Sequence, residues 1–181
     1  MNPISKMIPL AVLFLSLTFA SAVMAADDEN TEVTRITQAL ELYSQATPMD
    51  VHAPKRTELL DKAESILTGV IKQNPRSLDA HRKLMGVYLQ KRDYRKAVET
   101  MQSAISLSPE DPKLFVALAI LYDHQGAYEY AVPVLDQALA LDPNQQLAKD
   151  YKASIQQKIE MQRVAMESTA DPHQDIDIRS K

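Results

Sequence analysis

Three prolines set the frame of this chain. They occur as Asn74-Pro75, Ser108-Pro109 and Asp142-Pro143, and the interval is 34 residues both times. A proline cannot continue a helix, and it disfavours α geometry in the residue before it, so each pair predicts a helix end and a corner. A fixed interval of this size is that of a helix–turn–helix unit, and such units must stack to bury their apolar faces. Glycine is scarce, at three residues in 181. β-rich folds and phosphate-cradling α/β folds rely on glycine at their turns and loops, so this scarcity argues for helices.

Laying residues 78–111 over residues 112–145 makes the repeat concrete. Leu84 falls on Leu118, Tyr88 on Tyr122, Tyr94 on Tyr128 and Ala97 on Ala131, followed by Val98 on Val132, Ala104 on Ala138 and Leu107 on Leu141. Leu84 and Tyr88 are four residues apart and share a helix face. Ala97 and Ala104 are two turns apart, where a small side chain lets two helices approach closely. The units read His81, Leu84, Met85, Tyr88, Ala97, Met101, Ala104, Pro109 and then Phe115, Leu118, Ala119, Tyr122, Ala131, Leu135, Ala138, Pro143.

This pattern resembles the tetratricopeptide-repeat (TPR) family. Three departures are visible: His81 stands in place of a large aromatic, Met85 in place of a small residue, and Arg92 where the second unit has Gly126. The resemblance implies an all-α fold, a right-handed α-solenoid of about three helix hairpins with a C-terminal capping helix.

An earlier unit, residues 33–77, is split. Its second helix is predicted from Ala63, Leu67 and Val70, and its first from residues 34–46 with Ile36, Ala39, Leu40 and Tyr43 on one face. The extra residues are expected as a loop over 47–55 containing Pro48 and Pro54. Beyond the complete units, 78–111 and 112–145, a capping helix is predicted over 145–167, with Leu147, Tyr151, Ile155, Ile159 and Val164 at helical spacing. Residues 26–32 and 168–181 are polar, lack apolar periodicity and are expected to be flexible.

Residues 1–25 read as a signal peptide. Lys6 precedes an uncharged apolar run over 10–23, and Val23-Met24-Ala25 offers small side chains at a cleavage site, with Asp27 and Asp28 following. The expected location is therefore the periplasm or outside the cell, with an inner-membrane anchor through residues 7–23 as the alternative. Cleavage would remove Lys6 and no acid, leaving 19 basic against 24 acidic side chains. A mildly acidic protein is poorly suited to nucleic acid. With no cysteine in the chain, thiolate chemistry and disulfides are excluded.

Nothing points to catalysis. No two of His52, His81, His124 and His173 stand at metal-ligating helical spacing, and nucleophile-elbow and phosphate-loop motifs are absent. The chain is read as a non-enzyme without cofactor or metal, whose methionines fill a core. By the TPR resemblance, the first helix of each unit lines a concave groove. The positions so implied are Asp79, Arg82, Gly86, Leu89 and Gln90, then Lys113, Val116, Ile120, Asp123 and His124. The expected partner-binding set is Arg82, Gly86, Leu89, Lys113, Val116, Ile120, Asp123 and His124. Gly86 and Ile120 stand where a TPR carboxylate clamp needs asparagines, which argues against that clamp and for a groove taking a helix or extended peptide. The expected role is an adaptor or assembly factor in the bacterial envelope, with self-association open and a tethered accessory subunit as the alternative.

Overall fold

The computed structural model describes residues 31–170, and among these all regular structure is helical. Helix α1 covers residues 31–46. It is followed by α2 (Pro54–Gln73), α3 (Leu78–Gln90), α4 (Tyr94–Leu107), α5 (Pro112–His124), α6 (Tyr128–Leu141) and α7 (Gln146–Ala170). Consecutive helices pack on one another along the chain from α2 to α7, and α5 also touches α7. This nearest-neighbour stacking is that of a helical solenoid.

The three prolines mark equivalent corners. The residue before each leaves helical geometry, with φ/ψ of −125/88 at Asn74, −143/73 at Ser108 and −137/94 at Asp142. In each case its amide donates back to the carbonyl four residues earlier: Asn74 to Val70 (2.8 Å), Ser108 to Ala104 (3.1 Å) and Asp142 to Ala138 (2.9 Å). The next helices start on local chemistry. The Ser77 hydroxyl accepts from the Ala80 amide and the Asp111 carboxylate from the Lys113 amide, so both cap exposed helix donors.

The turns inside the units are equally repetitive. Asp93 N–H donates to Tyr88 (3.0 Å) and Arg92 N–H to Leu89 (3.0 Å), matched by Ala127 to Tyr122 (2.9 Å) and Gly126 to Asp123 (2.9 Å). This pairing of bonds is the Schellman closure, and it requires a left-handed residue. Gly126 (φ 68) and Arg92 (φ 59) supply it. Glycine adopts that geometry freely, whereas a side chain costs about 1–2 kcal/mol. Arg92→Gly is therefore expected to raise stability by about 0.5–1 kcal/mol, after the greater freedom of the unfolded glycine is subtracted. Gly126→Ala should lose about 1 kcal/mol on conformation alone, since a Cβ there meets no atom within 4 Å. Paired urea denaturation curves check both signs.

The core follows the 34-residue interval. Ala63, Ala97 and Ala131 are fully buried, as are Leu67, Met101 and Leu135, and then Val70, Ala104 and Ala138. The buried side chains form two clusters. The larger runs from α1 to α5, and the smaller joins Val116 and Ala119, Ala131 and Leu135, and Ala148 and Ile155 of α5, α6 and α7.

Several boundaries differ from the sequence reading. Pro54 opens α2 at its first position instead of lying in a loop, and the connection covers residues 47–53. Proline's fixed φ and missing N–H suit a helix start as well as a loop. Residues 31 and 32, expected to be flexible, belong to α1. The Glu32 carboxylate accepts from the Asn74 side chain (2.8 Å) and the Ser77 hydroxyl, which ties α1 to the α2–α3 corner. The capping helix starts one residue later than expected and continues through Ala170. Residues 1–30, which include the expected signal peptide, and residues 171–181 lie outside the described residues.

The first half of α7 is more than a cap. Ala148 and Ile155 fall 34 residues after Leu114 and Leu121, which themselves follow Ala80 and Val87, and all six are buried. α7 thus takes the place of a fourth first-helix. A turn would next fall at Ile159-Glu160-Met161, the equivalents of Lys91-Arg92-Asp93. Neither a glycine nor a capping residue stands there, and the helix runs straight on.

Candidate functional site

The face of α3 turned away from its buried residues (Ala80, Leu84, Val87, Tyr88) carries Arg82 and Gly86. Arg82 is exposed and forms no ion pair among the described residues, whereas its neighbour Lys83 pairs with Asp79 (3.7 Å). Gly86 is half-buried, and a Cβ there would meet nothing within 4 Å, so the surface is open at that point. On α5, Lys113 is exposed and also without an ion pair among the described residues. Leu89 and Ile120 are partly buried, the first packed on the larger cluster and the second on the smaller. Of the eight expected residues these five, Arg82, Gly86, Leu89, Lys113 and Ile120, remain at the surface of α3 and α5, two as cations without an ion pair among the described residues and two as partly buried apolar side chains.

Three expected groove residues are placed differently. Val116 is 2% exposed and belongs to the smaller core cluster, so it does not line a groove. It clusters there with Ala131, Leu135 and Ala138 of α6 and with Ala148 and Ile155 of α7. Asp123 is occupied within the chain: Lys158 Nζ donates to both its carboxylate oxygens (2.6 and 2.8 Å) and the Tyr151 hydroxyl to one (2.9 Å). His124 is exposed at the end of α5, and its ring stacks on Tyr94 of α4 with centroids 5.9 Å apart.

The polar contacts that bind the units together have no signature in the sequence pattern. One is this latch of Asp123, Lys158 and Tyr151. Burial first, and then the hydrogen bond and charge of Asp123, push the Tyr151 hydroxyl up to about 12. Another centres on Glu64 of α2, which accepts from Lys91 and Lys96 (3.4 Å), while Lys91 also reaches Asp61 (2.6 Å). Burial works against the Glu64 carboxylate, but Lys91 and Lys96 outweigh it and hold it below its ordinary range. Lys96 also lies over the Tyr88 ring at 5.2 Å. These are structural ties. Among the described residues no three His, Asp or Glu side chains cluster as a metal site requires, and no helix is long and apolar enough to cross a membrane.

A cleft of about 440 Å³ lies beside the α5–α6 turn, between the start of α6 and the outer half of α7. Tyr128, Tyr130, Ile159, Arg163 and Met166 line it.

The repeat interval, the equivalent corners and the two left-handed turns find a match in the tetratricopeptide repeat, whose family model covers residues 84–156. The fold is a TPR solenoid. TPR domains generally mediate protein–protein interaction. A thermophilic TPR protein of Thermus thermophilus is 23% identical, with a TM-score of 0.60 over 67% of this chain and 61% of that one. The TPR2B domain of yeast Sti1, solved as a complex with pHsp70, is 14% identical, with a TM-score of 0.58 over 70% of this chain and 97% of that domain. Among curated proteins, mouse protein O-mannosyl-transferase TMTC1 is 30% identical over 88 residues. That stretch is 46% of this chain but 9% of the mouse protein.

Proposed function

We propose that this TPR protein is a non-catalytic adaptor or assembly factor of the bacterial cell envelope, which takes a helix or extended peptide of its partner along the first helices of its repeats. The observation that carries this reading is the pair of exposed cations, Arg82 and Lys113, unpaired among the described residues, on first helices of adjacent units that also carry partly buried Leu89 and Ile120. Such a surface offers apolar contact and two charges to an acidic or amphipathic segment. The Sti1 domain of the same fold was solved with pHsp70 bound, which supports a ligand of the protein class. Gly86 and Ile120 lack amide side chains, so recognition rests on charge and apolar contact and not on asparagine donors. The leader-like residues 1–25 support export and the envelope location.

Two measurements test this reading. The double variant Arg82→Glu, Lys113→Glu reverses two surface charges that pair with nothing among the described residues, so its stability should stay within about 0.5 kcal/mol. Affinity capture from crosslinked cells should nevertheless recover at least roughly tenfold less partner, because like charges now face the ligand. Undiminished capture would show that the partner binds elsewhere. Sequencing the amino terminus of the protein from cells separates a cleaved leader, starting at Ala26, from a membrane tether that retains Met1.

A further inference from the structure

The segment inserted into the first unit builds something the repeat does not explain. In the repeat frame Tyr94, the first residue of α4, corresponds to Leu60, yet α2 starts at Pro54. The additional turns carry Arg56 over the end of α3, where its Nη2 donates to the Gln90 carbonyl (2.9 Å) and to the Gln90 side-chain oxygen (2.7 Å). Arg56 is 6% exposed. Both of its acceptors are neutral, no carboxylate among the described residues pairs with it, and its Nε is buried without a hydrogen-bond partner. A guanidinium buried without a counter-charge costs several kcal/mol.

Arg56 lines a cavity of about 140 Å³ together with Thr57, Gln90, Lys91 and Arg92 and the apolar side chains of Val51 and Leu60. Lys91 is already matched by Asp61 and Glu64, but Arg92 forms no ion pair among the described residues. Arg92 also holds the left-handed turn position that is glycine in the next unit, so a cation is kept there at a conformational cost. The cavity therefore gathers two positive charges that the chain does not neutralise, with a hydroxyl beside them. It is smaller than the roughly 300 Å³ of sites for whole drug-sized ligands, and suits a single anionic group.

We propose that this cavity, between the start of α2 and the α3–α4 turn, binds an oxyanion of the phosphate class. Two uncompensated cations match a doubly charged tetrahedral anion better than a singly charged carboxylate, and the amino-terminal end of α2 adds favourable potential. The anion supplies the counter-charge that Arg56 lacks, and it bridges the inserted segment to the second unit.

The full-length protein is titrated with inorganic phosphate at constant ionic strength, following backbone amide shifts by NMR, with glycerol 2-phosphate and acetate as parallel arms. Saturable shifts at residues 56–57 and 90–92 are expected with both phosphates, and binding of acetate weaker by roughly tenfold or more. Tighter binding of glycerol 2-phosphate than of phosphate identifies a phosphomonoester as the natural source, and the reverse identifies free phosphate. Arg92→Gly, expected to fold at least as well as the parent, should lose phosphate binding by roughly tenfold, and Arg92→Lys should retain most of it. Arg56→Gln should abolish binding, and if that variant fails to fold, the Arg92 pair decides. No saturable response to phosphate, equal affinity in Arg92→Gly, or acetate binding as well as phosphate would each overturn the proposal and leave Arg56 as a staple to Gln90.

Discussion

Leu135→Ala is expected to lower stability by about 3 kcal/mol, within the 2–5 kcal/mol range of buried leucine truncations. Leu135 is fully buried at the centre of the smaller cluster, where it faces α5 and α7. Removing it takes contact from both sides at once, and the alanines around it are too short to fill the space. In a solenoid each unit is held by its neighbours alone, so the loss should stay local. Hydrogen exchange should show α5, α6 and α7 opening well before α2 to α4, and the urea transition should broaden or split. Leu135→Met keeps the volume, and methionine is native at the equivalent Met101, so its cost should remain below about 1.5 kcal/mol. A loss under about 1 kcal/mol for the alanine variant, or uniform exchange across all helices, would show that the packing described for this cluster is wrong.

The second large effect is expected at Asp123. Its carboxylate takes three hydrogen bonds from α7, two of them from a lysine, and its side chain is 14% exposed. Asp123→Ala leaves Lys158 and the Tyr151 hydroxyl without their acceptor, a change worth about 1–3 kcal/mol. The alkaline limb of the stability curve provides a separate readout. Folded Tyr151 keeps its proton to about 12, against an ordinary 10.0. Between these values the unfolded chain has lost the proton and the folded chain has not. The unfolded state then binds fewer protons, so stability falls as pH rises from 10 towards 12. Part of this shift comes from Asp123, so in the variant the alkaline fall should be shallower and the Tyr151 phenolate should form at lower pH. The chain has seven tyrosines, so the difference in absorbance near 295 nm between parent and variant across pH 9–12 reports the change at Tyr151. An unchanged tyrosine titration would mean that the latch does not form in solution.

The parts of this fold that are readable in the chain are those decided within one turn of helix. A proline constrains the residue before it wherever it stands, so Asn74, Ser108 and Asp142 can be marked as corners without knowledge of their surroundings. The alanines 63, 97 and 131 repeat at one interval because two helices must come close at the same place in every unit. Pro54 is ambiguous for a local reason, since a fixed φ serves a loop and a first helical position alike. What cannot be read is decided by distant residues. Lys158 meets Asp123 across 35 positions, and Arg56 meets Gln90 across 34. Val116 looks like a groove residue as long as only its position in the repeat is considered. Val116 stands 34 residues after exposed Arg82, yet it clusters with side chains of α6 and α7 and is 2% exposed. His124 escapes a local reading in a smaller way, because its stacking on Tyr94 needs the start of α4 beside the end of α5.

The phase of α7 has a consequence for how such a molecule changes over generations. The surface that α6 presents to Ala148 and Ile155 is the one α4 presents to Leu114 and Leu121. A tandem duplication of residues 112–145 would set a new copy against old neighbours that already fit it on both sides. Its length is thus free to drift in whole steps, while the ends, with their inserted segment and their unbroken final helix, stay as they are.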